Sequence, residues 1–386
     1  MKALIADGEW MPRKGYPVTR EETACKRART GSQVWRNTTF DLRDVDVPAP
    51  KEGEVLIRVR SCGVCGSDTH LYEKDGEGYI KFSGLTKLPC ILGHEFSGVV
   101  EKAGPGVSAL KKGDHVAVES VMWCGMCLSC RSGAPNQCRN VELLGLSHNG
   151  AFAEYIAVPA KYCWDINPLF EAYGEEDAFD VGSLIEPVGC AYNGMFIAGG
   201  GFKPGAAVVV YGTGPIGLGA VALARASGAS LIVAFDVVDE RMSIAKEMGA
   251  DFSFNINKLG GAAPAEKVLE LTRGEGADMQ VEAAGAAPLT VPEMEKSLSG
   301  QGKIIYLGRS DASAPMSLDS FVTGANQLVG ARGHTGYGIF PNIIKLISSG
   351  RLSLEKIITS RYTFPSAVEA LKSSSKRIDG KIIVRI

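Results

Sequence analysis

The composition is that of a folded protein and excludes several functional classes. The chain has 386 residues, 45% hydrophobic and 22% charged, which argues against a disordered chain. Its 41 basic and 43 acidic residues give a net charge of −2, so nothing points to nucleic acid or an anionic membrane. The start, MKALIADGEW, lacks the apolar core of a signal peptide, and no apolar run of about 18 residues predicts a membrane span. We therefore expect a cytoplasmic protein whose ten cysteines bind metal or stay reduced.

Residues 34–160 have the pattern of short β-strands. Segments such as EVLIRVRSCG, GVVEKAGPGV and DHVAVES alternate apolar and polar residues and then break at glycine or proline. This pattern predicts an all-β, barrel-like N-terminal region. Residues 165–180 are acidic and poorly periodic, and we expect a loop or a short helix there.

From residue 206 onward, apolar strand-like runs alternate with helical stretches. The runs are AAVVVYG, LIVAFDVV, MQVEAAG, KIIYLG and QLVGAR, and they predict a doubly wound parallel sheet covered by helices on both faces. After about residue 330 one further helix, FPNIIKLISSG, and a final strand, KIIVRI, are expected. The predicted organisation is a domain over 1–190, a nucleotide-binding domain over 191–330, and a return of the chain to the first domain over 331–386.

A glycine-rich turn joins the first of these strands to a helix. The sequence GTGPIG fits G-x-G-x-x-G, in which the glycines permit the turn, close approach to a pyrophosphate, and packing of helix on strand. The N-terminus of the following helix would then stabilise the phosphates with its unpaired N–H groups. The residues expected to contact the cofactor are Gly212, Gly214, Pro215, Ile216 and Gly217.

An acidic residue at the end of the next strand indicates the type of nicotinamide cofactor. Asp236 can accept hydrogen bonds from ribose hydroxyls and would repel a 2′-phosphate, which favours NAD over NADP. Arg241 weakens this preference, because an arginine can hold a 2′-phosphate. A doubly wound domain that binds another nucleotide, or none, stays an alternative.

Four cysteines lie close together in the sequence. Cys124, Cys127, Cys130 and Cys138 follow the pattern C-x2-C-x2-C-x7-C, and four thiolates complete a tetrahedral zinc shell with no open position. The sequence therefore predicts a structural zinc lobe at about residues 120–140. Free thiols or an iron–sulfur cluster are the alternatives.

A second set of metal-binding residue types is dispersed along the chain. It comprises Cys65 in CGVCGSDTH, His94 and Glu95 in GHEFSG, and Glu186 in IEPVG. One thiolate, one imidazole and one or two carboxylates suit a catalytic zinc that keeps a position for substrate. Spacing alone does not decide the matter, because a core histidine and a small buried cysteine would give the same pattern.

Taken in order, these motifs resemble the zinc-containing medium-chain alcohol/polyol dehydrogenases over residues 45–386. The resemblance implies a GroES-like catalytic domain with an inserted Rossmann domain, two zinc ions per subunit, NAD, and a homo-oligomer. It implies that Cys65 and His94 bind the catalytic zinc, and it leaves open whether Glu95 or Glu186 joins them. Alcohol dehydrogenases have a cysteine at the position of Glu186, whereas polyol and threonine dehydrogenases have a glutamate.

The same resemblance assigns roles to residues around that zinc. Asp68 is expected to hold the far N–H of His94 and so fix its tautomer. Ser67 is expected to lie between the substrate oxygen and solvent, and His70 to end the proton relay. Leu307 is expected on the nicotinamide side of the cofactor.

The chain also resembles a narrower group, that of scyllo-inosose 3-dehydrogenase and related cyclitol dehydrogenases. The residues that carry this resemblance are GYIKFSGLTKLPCILGHEFSGVV, WCGMCLSC, NGAFAEY, LIEPVGCAYN and GHTGYGIFP. The implied reaction is hydride transfer between NAD(H) and a secondary alcohol of a cyclitol or polyol. His334 and Tyr337 are candidate partners for substrate hydroxyls.

Other functions stay open. Sorbitol/xylitol dehydrogenase, L-threonine dehydrogenase and an aminocyclitol biosynthetic dehydrogenase share these motifs. An NAD-binding structural protein on the same scaffold would be expected to lack zinc ligands, and this chain retains them.

Overall fold

The computed structural model describes residues 1–309 and 312–386, and the chain forms two compact units. The first unit comprises Met1–Glu186, Ser360–Arg377 and Ile382–Ile386. The second comprises Pro187–Thr359 and Ile378–Lys381. Within the described residues, every helix is too short or too polar to cross a membrane.

The regular elements follow one another along the chain as two series. The strands are β1 (Lys2–Trp10), β2 (Arg27–Ala28), β3 (Trp35–Asp44), β4 (Glu54–Gly63), β5 (Thr86–Lys87), β6 (Cys90–Ile91), β7 (Glu95–Ala103), β8 (His115–Val118), β9 (Val121–Met122), β10 (Glu142–Leu143), β11 (Tyr155–Pro159), β12 (Cys163–Asp165), β13 (Ala207–Tyr211), β14 (Leu231–Asp236), β15 (Phe252–Asn255), β16 (Ala277–Glu282), β17 (Leu298–Tyr306), β18 (Gln327–Gly330), β19 (Ile358–Thr363) and β20 (Lys381–Arg385). The α-helices are α1 (Arg20–Cys25), α2 (Gly66–Tyr72), α3 (Leu128–Arg131), α4 (Glu175–Ser183), α5 (Ile185–Tyr192), α6 (Pro215–Ala226), α7 (Asp239–Glu247), α8 (Pro264–Leu271), α9 (Ala287–Lys296), α10 (Leu318–Gly324), α11 (Ile339–Ser348) and α12 (Ala367–Ser374).

The main sheet of the first unit is antiparallel and positions one candidate metal site. Its strands run in the order β12-β8-β7-β4-β20-β19, and β11 pairs with β4. The register places Gly63 opposite Glu95. Cys65 follows the last residue of β4, and His94 precedes the first residue of β7. Because β4 and β7 are antiparallel, this register brings the two segments, which are distant in sequence, to the same end of the paired strands.

The acidic stretch after this sheet forms a helix. Residues 167–171 make a 3₁₀ turn, and α4 follows after Gly174. Three acidic residues, Glu175, Glu176 and Asp177, occupy the first turn of α4, where the helix dipole favours negative charge. Phe179 and Val181 on α4 are buried, so packing stabilises this helix although the apolar pattern of its sequence is weak.

The second unit contains the predicted parallel sheet. Its strand order, β15-β14-β13-β16-β17-β18, corresponds to the 3-2-1-4-5-6 order of a dinucleotide-binding fold. The valines of β13, Val208–Val210, are buried, as expected for a strand covered on both faces. The strand order reverses between β13 and β16, and this point is where such folds bind ligands. The doubly wound sheet predicted from the sequence is therefore confirmed.

Helix α11 lies in the second unit, although the sequence predicted the return to the first domain at 331. The apolar stripe of α11, which includes Ile339, Ile343 and Ile347, is buried. Gly189 leaves room for the segment that precedes α11, since a Cβ there would lie 2.7 Å from the Cβ of His334. The chain rejoins the first unit only at Ser360.

Candidate active site and metal centres

The four predicted lobe cysteines converge in the structure, and we call them the four-cysteine lobe. The Sγ of Cys127 lies 3.5 Å from that of Cys130 and 3.9 Å from that of Cys138, and the sulfurs of Cys138 and Cys124 are 3.6 Å apart. A tetrahedral ion with Zn–S bonds of 2.3 Å requires sulfur separations of about 3.8 Å. The lobe therefore fits one zinc ion, whereas a cluster of several iron atoms would hold its thiolates farther apart.

The charges in the lobe also favour a cation. Backbone N–H groups of Cys130 and Arg139 lower the pKa of Cys127, and those of Met126 and Cys127 lower the pKa of Cys124. Burial and the neighbouring Cys127 raise the pKa of Cys130 to about 12. A first thiolate is thus stabilised by the backbone, while further thiolates need a positive ion at the centre.

The dispersed candidates form a second cluster in the first unit, the Cys65–His94–Glu95 site. One ligand atom from each of these residues lies within 4.8 Å of the others. Cys65 precedes α2, His94 immediately precedes β7, and Glu95 is the first residue of β7. His94 and Glu95 are buried and Cys65 is partly exposed. Three protein ligands of this kind leave one tetrahedral position for substrate or water.

His94 lies in a strongly anionic environment. Burial favours its neutral form, yet its pKa is raised well above the ordinary value of 6.5. The cause is negative charge from Asp68, Cys65 and Glu186. A buried imidazole among a thiolate and carboxylates is an environment that a divalent cation fits, so the donor set is consistent with zinc.

Asp68 and Ser67 face different nitrogens of His94. The Oδ1 of Asp68 lies 3.6 Å from Nδ1, an ionic contact that is too long for a hydrogen bond. The other carboxylate oxygen of Asp68 accepts the backbone N–H of Cys65 at 2.9 Å. The Ser67 hydroxyl lies 3.3 Å from Nε2. Nε2 is therefore the nitrogen directed toward the serine and the proposed metal position.

The two candidate glutamates occupy different positions. Glu95 is 1% exposed and shares the cluster with Cys65 and His94. Glu186 accepts a hydrogen bond from the Ser120 hydroxyl at 2.7 Å, and its charge reaches His94. The geometry thus favours Glu95 as the direct ligand and places Glu186 beside the site.

His70, the predicted end of the relay, lies three residues after Ser67 on α2, and its side chain is 44% exposed. Its Nδ1 lies 3.3 Å from the Oε2 of Glu73 and 3.3 Å from the Nη2 of Arg377. Burial, and next the charge of Arg377, lower the pKa of His70 below 6.5. His70 is thus held neutral near pH 7, ready to accept a proton.

The glycine-rich turn of the second unit has the tight packing that its motif predicts. Gly212 has φ +87° and a Cβ there would come within 2.6 Å of the Ala284 backbone. A Cβ on Gly217 would lie 1.8 Å from the Gly212 carbonyl oxygen. Gly214 precedes α6, and Pro215 and Ile216 form its first turn. The turn therefore presents backbone N–H groups at the switch point, where a pyrophosphate would bind.

Asp236 ends β14, the neighbouring strand, and is tied to the turn. Its Oδ2 accepts from the backbone N–H of Thr213 at 2.6 Å and from its hydroxyl at 2.9 Å. Its Oδ1 accepts the backbone N–H of Val237 at 2.6 Å. The Nε of Arg241 donates to the Asp379 carbonyl at 2.8 Å, and its Nη1 lies 4.0 Å from where a Gly214 Cβ would be. The glycine-rich turn thus has the carboxylate of Asp236 and the guanidinium of Arg241 beside it.

The remaining candidates lie in the second unit. Leu307 follows β17, and its backbone N–H donates to the Glu282 carbonyl at 2.9 Å. His334 is buried and its Nδ1 lies 3.8 Å from the Cys190 sulfur, whereas Tyr337 is 44% exposed.

Sequence reasoning missed three polar partners, namely Glu73, Arg377 and Thr213. Glu73 could have been found, because residues three apart on a helix share a face and Glu73 follows His70 at that spacing. Thr213 lies inside the motif, but its contact with Asp236 depends on strand pairing. No local signal connects Arg377 with His70.

Comparison with known proteins gives a consistent result. Two family models match, that of the alcohol dehydrogenase GroES-like domain over residues 51–168 and that of the zinc-binding dehydrogenases over 215–349. Scyllo-inosose 3-dehydrogenase of Thermotoga maritima is 38% identical over 385 residues, covering 96% of each chain. L-Threonine 3-dehydrogenase of Pyrococcus horikoshii is 33% identical over 345 residues, covering 89% of this chain and 94% of the relative.

A solved structure from Thermotoga maritima, provisionally described as that of an alcohol dehydrogenase, has a TM-score of 0.96 and 36% identity over the full length of both chains. The resemblance inferred from the motifs is confirmed, and so is the combination of a GroES-like domain with a Rossmann-type domain. The family implies zinc and a nicotinamide cofactor. The chain belongs to the zinc-binding medium-chain dehydrogenases and is an oxidoreductase that acts on CH–OH groups.

Proposed function

We propose that this enzyme transfers a hydride between NAD(H) and a secondary alcohol carbon of a cyclitol or polyol. The observation that carries the proposal is the Cys65–His94–Glu95 site, whose ligand atoms lie within 4.8 Å of one another. A zinc ion bound there supplies Lewis-acid stabilisation of the negative charge that develops on the substrate oxygen as its proton leaves. The anionic surroundings of His94 support this assignment.

The proposed proton path begins next to that site. Ser67, beside Nε2 of His94, is positioned to accept the substrate hydroxyl proton while its own proton moves toward His70. Both side chains project from α2 three residues apart, so they share one face of the helix. Asp68 contributes by orienting His94, since it lies on the Nδ1 side of the ring.

NAD is the proposed cofactor. The carboxylate of Asp236, at the end of β14, would accept the ribose hydroxyls and repel a 2′-phosphate. Arg241 and the Gly212–Gly217 turn would contact the phosphates, and Leu307 would face the nicotinamide. Asp236→Ser tests this assignment, because it should raise kcat/KM with NADP and lower it with NAD, changing their ratio by about tenfold or more. A ratio that stays the same would reject Asp236 as the determinant.

We propose a second, structural zinc in the four-cysteine lobe. The sulfur separations of 3.5–3.9 Å support it. Two zinc ions per subunit are then expected from metal analysis, and the lobe ion should be the slower to leave during chelation, because four thiolates enclose it.

Two substrate classes are supported by relatives of this chain. The 38% identical relative is a scyllo-inosose 3-dehydrogenase and is covered over 96% of its length, which favours a cyclitol. The 33% identical L-threonine 3-dehydrogenase supports threonine as the second candidate. Because an unpaired substrate hydroxyl costs roughly 1–3 kcal/mol on burial, a cyclitol site needs polar partners. Glu186 beside the metal site is one, and His334 and Tyr337 are further candidates.

The test is NADH formation or consumption with a panel of substrates. It comprises myo-inositol, scyllo-inosose, sorbitol, xylitol, L-threonine and ethanol, each with NAD and with NADP, before and after chelation. Chelator-sensitive turnover of a cyclitol with NAD supports the proposal. Preference for threonine or an acyclic polyol would reject the cyclitol assignment, and turnover in protein shown to be zinc-free would reject the metal site. Cys65→Ser is the control for catalysis at another site.

We also propose that the enzyme is a homo-oligomer that pairs through β18, with cytoplasmic location as the expectation from sequence. β18 is an end strand of its sheet, and Leu328 on it is 47% exposed. Leu318 and Val322 on α10 are each 77% exposed, so apolar side chains lie near an unpaired edge. Light scattering tests this directly, since Leu328→Lys should lower the measured mass if β18 is the interface.

A further inference from the structure

We propose that Glu73 is the exit residue of the proton relay and that Arg377 positions it, so that Nδ1 of His70 passes protons to solvent through Glu73. The proposal rests on the proposed dehydrogenase function and extends it by two residues. It concerns Nδ1 of the imidazole, whose neighbours are Glu73 and Arg377.

The geometry places a donor and an acceptor at the same ring nitrogen. Nδ1 of His70 lies 3.3 Å from Nη2 of Arg377, which can only donate, and 3.3 Å from Oε2 of Glu73, which can accept. Arg377 also donates to the same Glu73 oxygen at 3.2 Å. Nδ1 is therefore hydrogen-bonded in both protonation states, as an acceptor from Arg377 when bare and as a donor to Glu73 when protonated.

The side chains of this group all reach water, and that of His70 is 44% exposed. The side chain of Glu73 is 19% exposed, so it reaches water, while that of Arg377 is 38% exposed. The Nζ of Lys81, from the segment after α2, lies 3.7 Å from Oε2 of Glu73. Lys81 is thus a second cation, besides Arg377, next to the Glu73 carboxylate. Two cations therefore lie beside the carboxylate that takes the proton in this proposal.

The proton balance is simple and involves no change in oxidation state. The substrate hydroxyl proton moves to Ser67, and the serine proton moves to Nε2 of His70, directly or through one bridging hydroxyl. The imidazolium then loses its Nδ1 proton to Oε2 of Glu73, which releases it to water. One proton enters at Nε2 and one leaves at Nδ1, so the relay starts from the tautomer protonated at Nδ1 and ends at the tautomer protonated at Nε2. Proton exchange with water at the 44% exposed ring then restores the starting tautomer.

A purely structural role is the competing explanation. The Glu73–Arg377 ion pair also links the end of α2 to the segment after α12. Nearby, the hydroxyl of Thr69 on α2 lies 2.7 Å from that of Ser374, the last residue of α12. A structural link predicts loss of thermal stability without a specific effect on proton transfer. The experiment must therefore separate these two roles.

The first measurement is the pH profile of alcohol oxidation in Glu73→Gln, which keeps the shape of the side chain but removes its charge. We expect kcat to fall by about tenfold while KM for both substrates stays within about twofold, and added acetate to restore the rate by accepting the proton. Glu77→Gln is the matched control, because Glu77 is exposed and pairs with Arg13. An unchanged kcat, or a loss that accompanies lower stability and is not rescued by acetate, overturns the proposal.

The second measurement does not depend on turnover. Nitrogen-15 NMR of the five histidines, with His70 assigned by its loss in His70→Gln, reports tautomer and pKa. Glu73→Gln should lower the pKa of His70 and favour the tautomer protonated at Nε2, whereas Arg377→Met should raise the pKa and favour protonation at Nδ1. If wild-type enzyme oxidises none of the panel alcohols, the proposed function fails, but this measurement still tests whether Glu73 and Arg377 control the protonation of Nδ1. A His70 signal that responds to neither variant overturns the inference.

Discussion

The two proposed metal centres are built in opposite ways. The four-cysteine lobe takes all its ligands from residues 124–138, and its sulfurs are oriented by backbone groups, such as the N–H of Cys124 that donates to Cys138 at 3.3 Å. The Cys65–His94–Glu95 site takes its ligands from two segments that meet only through the β4–β7 register. Its histidine is oriented by a side chain, that of Asp68. Local spacing therefore specifies the first centre, and sheet pairing specifies the second.

Removal of a ligand from the dispersed site should have the largest effect on activity. In Cys65→Ser we expect kcat/KM to fall by more than about a thousandfold, or about 4 kcal/mol of transition-state stabilisation, because the metal position loses its thiolate. Thermal unfolding should change little, since β4 and β7 hold the fold. Metal analysis should show one zinc lost per subunit. Cys25→Ser is the control, because Cys25 is exposed and outside both clusters. Full activity in Cys65→Ser would contradict the site.

Removal of a lobe ligand should instead reduce stability. In Cys127→Ser we expect the free energy of unfolding to fall by about 3 kcal/mol or more, because metal binding contributes to folding there. Turnover at low temperature should stay within a few-fold of wild type. Denaturant unfolding and zinc content measure the effect. If this variant lost turnover before stability, the distinction between the two centres would be wrong.

The residues that orient the ligands sharpen the same contrast. Asp68→Asn should weaken zinc at the dispersed site by about 10–100-fold, because the carboxylate beside Nδ1 of His94 is lost. The matched change in the lobe is Arg139→Ala, which keeps the backbone N–H that stabilises Cys127. Competition with a chelator should show a weaker dispersed site in the first variant and an unchanged lobe in the second. Equal zinc affinity in Asp68→Asn and wild type would argue against this role.

The smallest effect concerns pH. Burial and Arg377 hold the pKa of His70 below 6.5, so the relay histidine is neutral and competent at pH 7. Alcohol oxidation should therefore be full above the pKa of His70 and decline as the pH falls through it. In Arg377→Met that pKa rises, and the acid side of the rate profile should move to higher pH. A profile that stays in place, or moves to lower pH, would contradict this assignment.

Prediction from the sequence succeeded for the elements that are formed by residues adjacent in the chain. The strand AAVVVY, the turn and the helix after Pro215 follow one another in the chain, so their pattern predicted the Rossmann sheet. Prediction was less complete where the partner lies elsewhere in the chain. The sequence proposed both Glu95 and Glu186, and only the start of β7 beside His94 favours Glu95. Helix α11 was assigned to the returning segment, because its apolar face does not reveal what covers it.

By itself, the sequence determined the cofactor fold and the family, and it predicted the four-cysteine lobe, because these depend on residue types at short spacing. For the dispersed site it supplied only candidate ligands. The tertiary structure alone decided that Cys65 meets His94 and Glu95, that Thr213 holds Asp236, and that Arg377 reaches His70. The physical reason is that such contacts depend on strand register and on packing between distant segments. A one-residue change of register would move a side chain to the other face of its sheet without altering any local pattern.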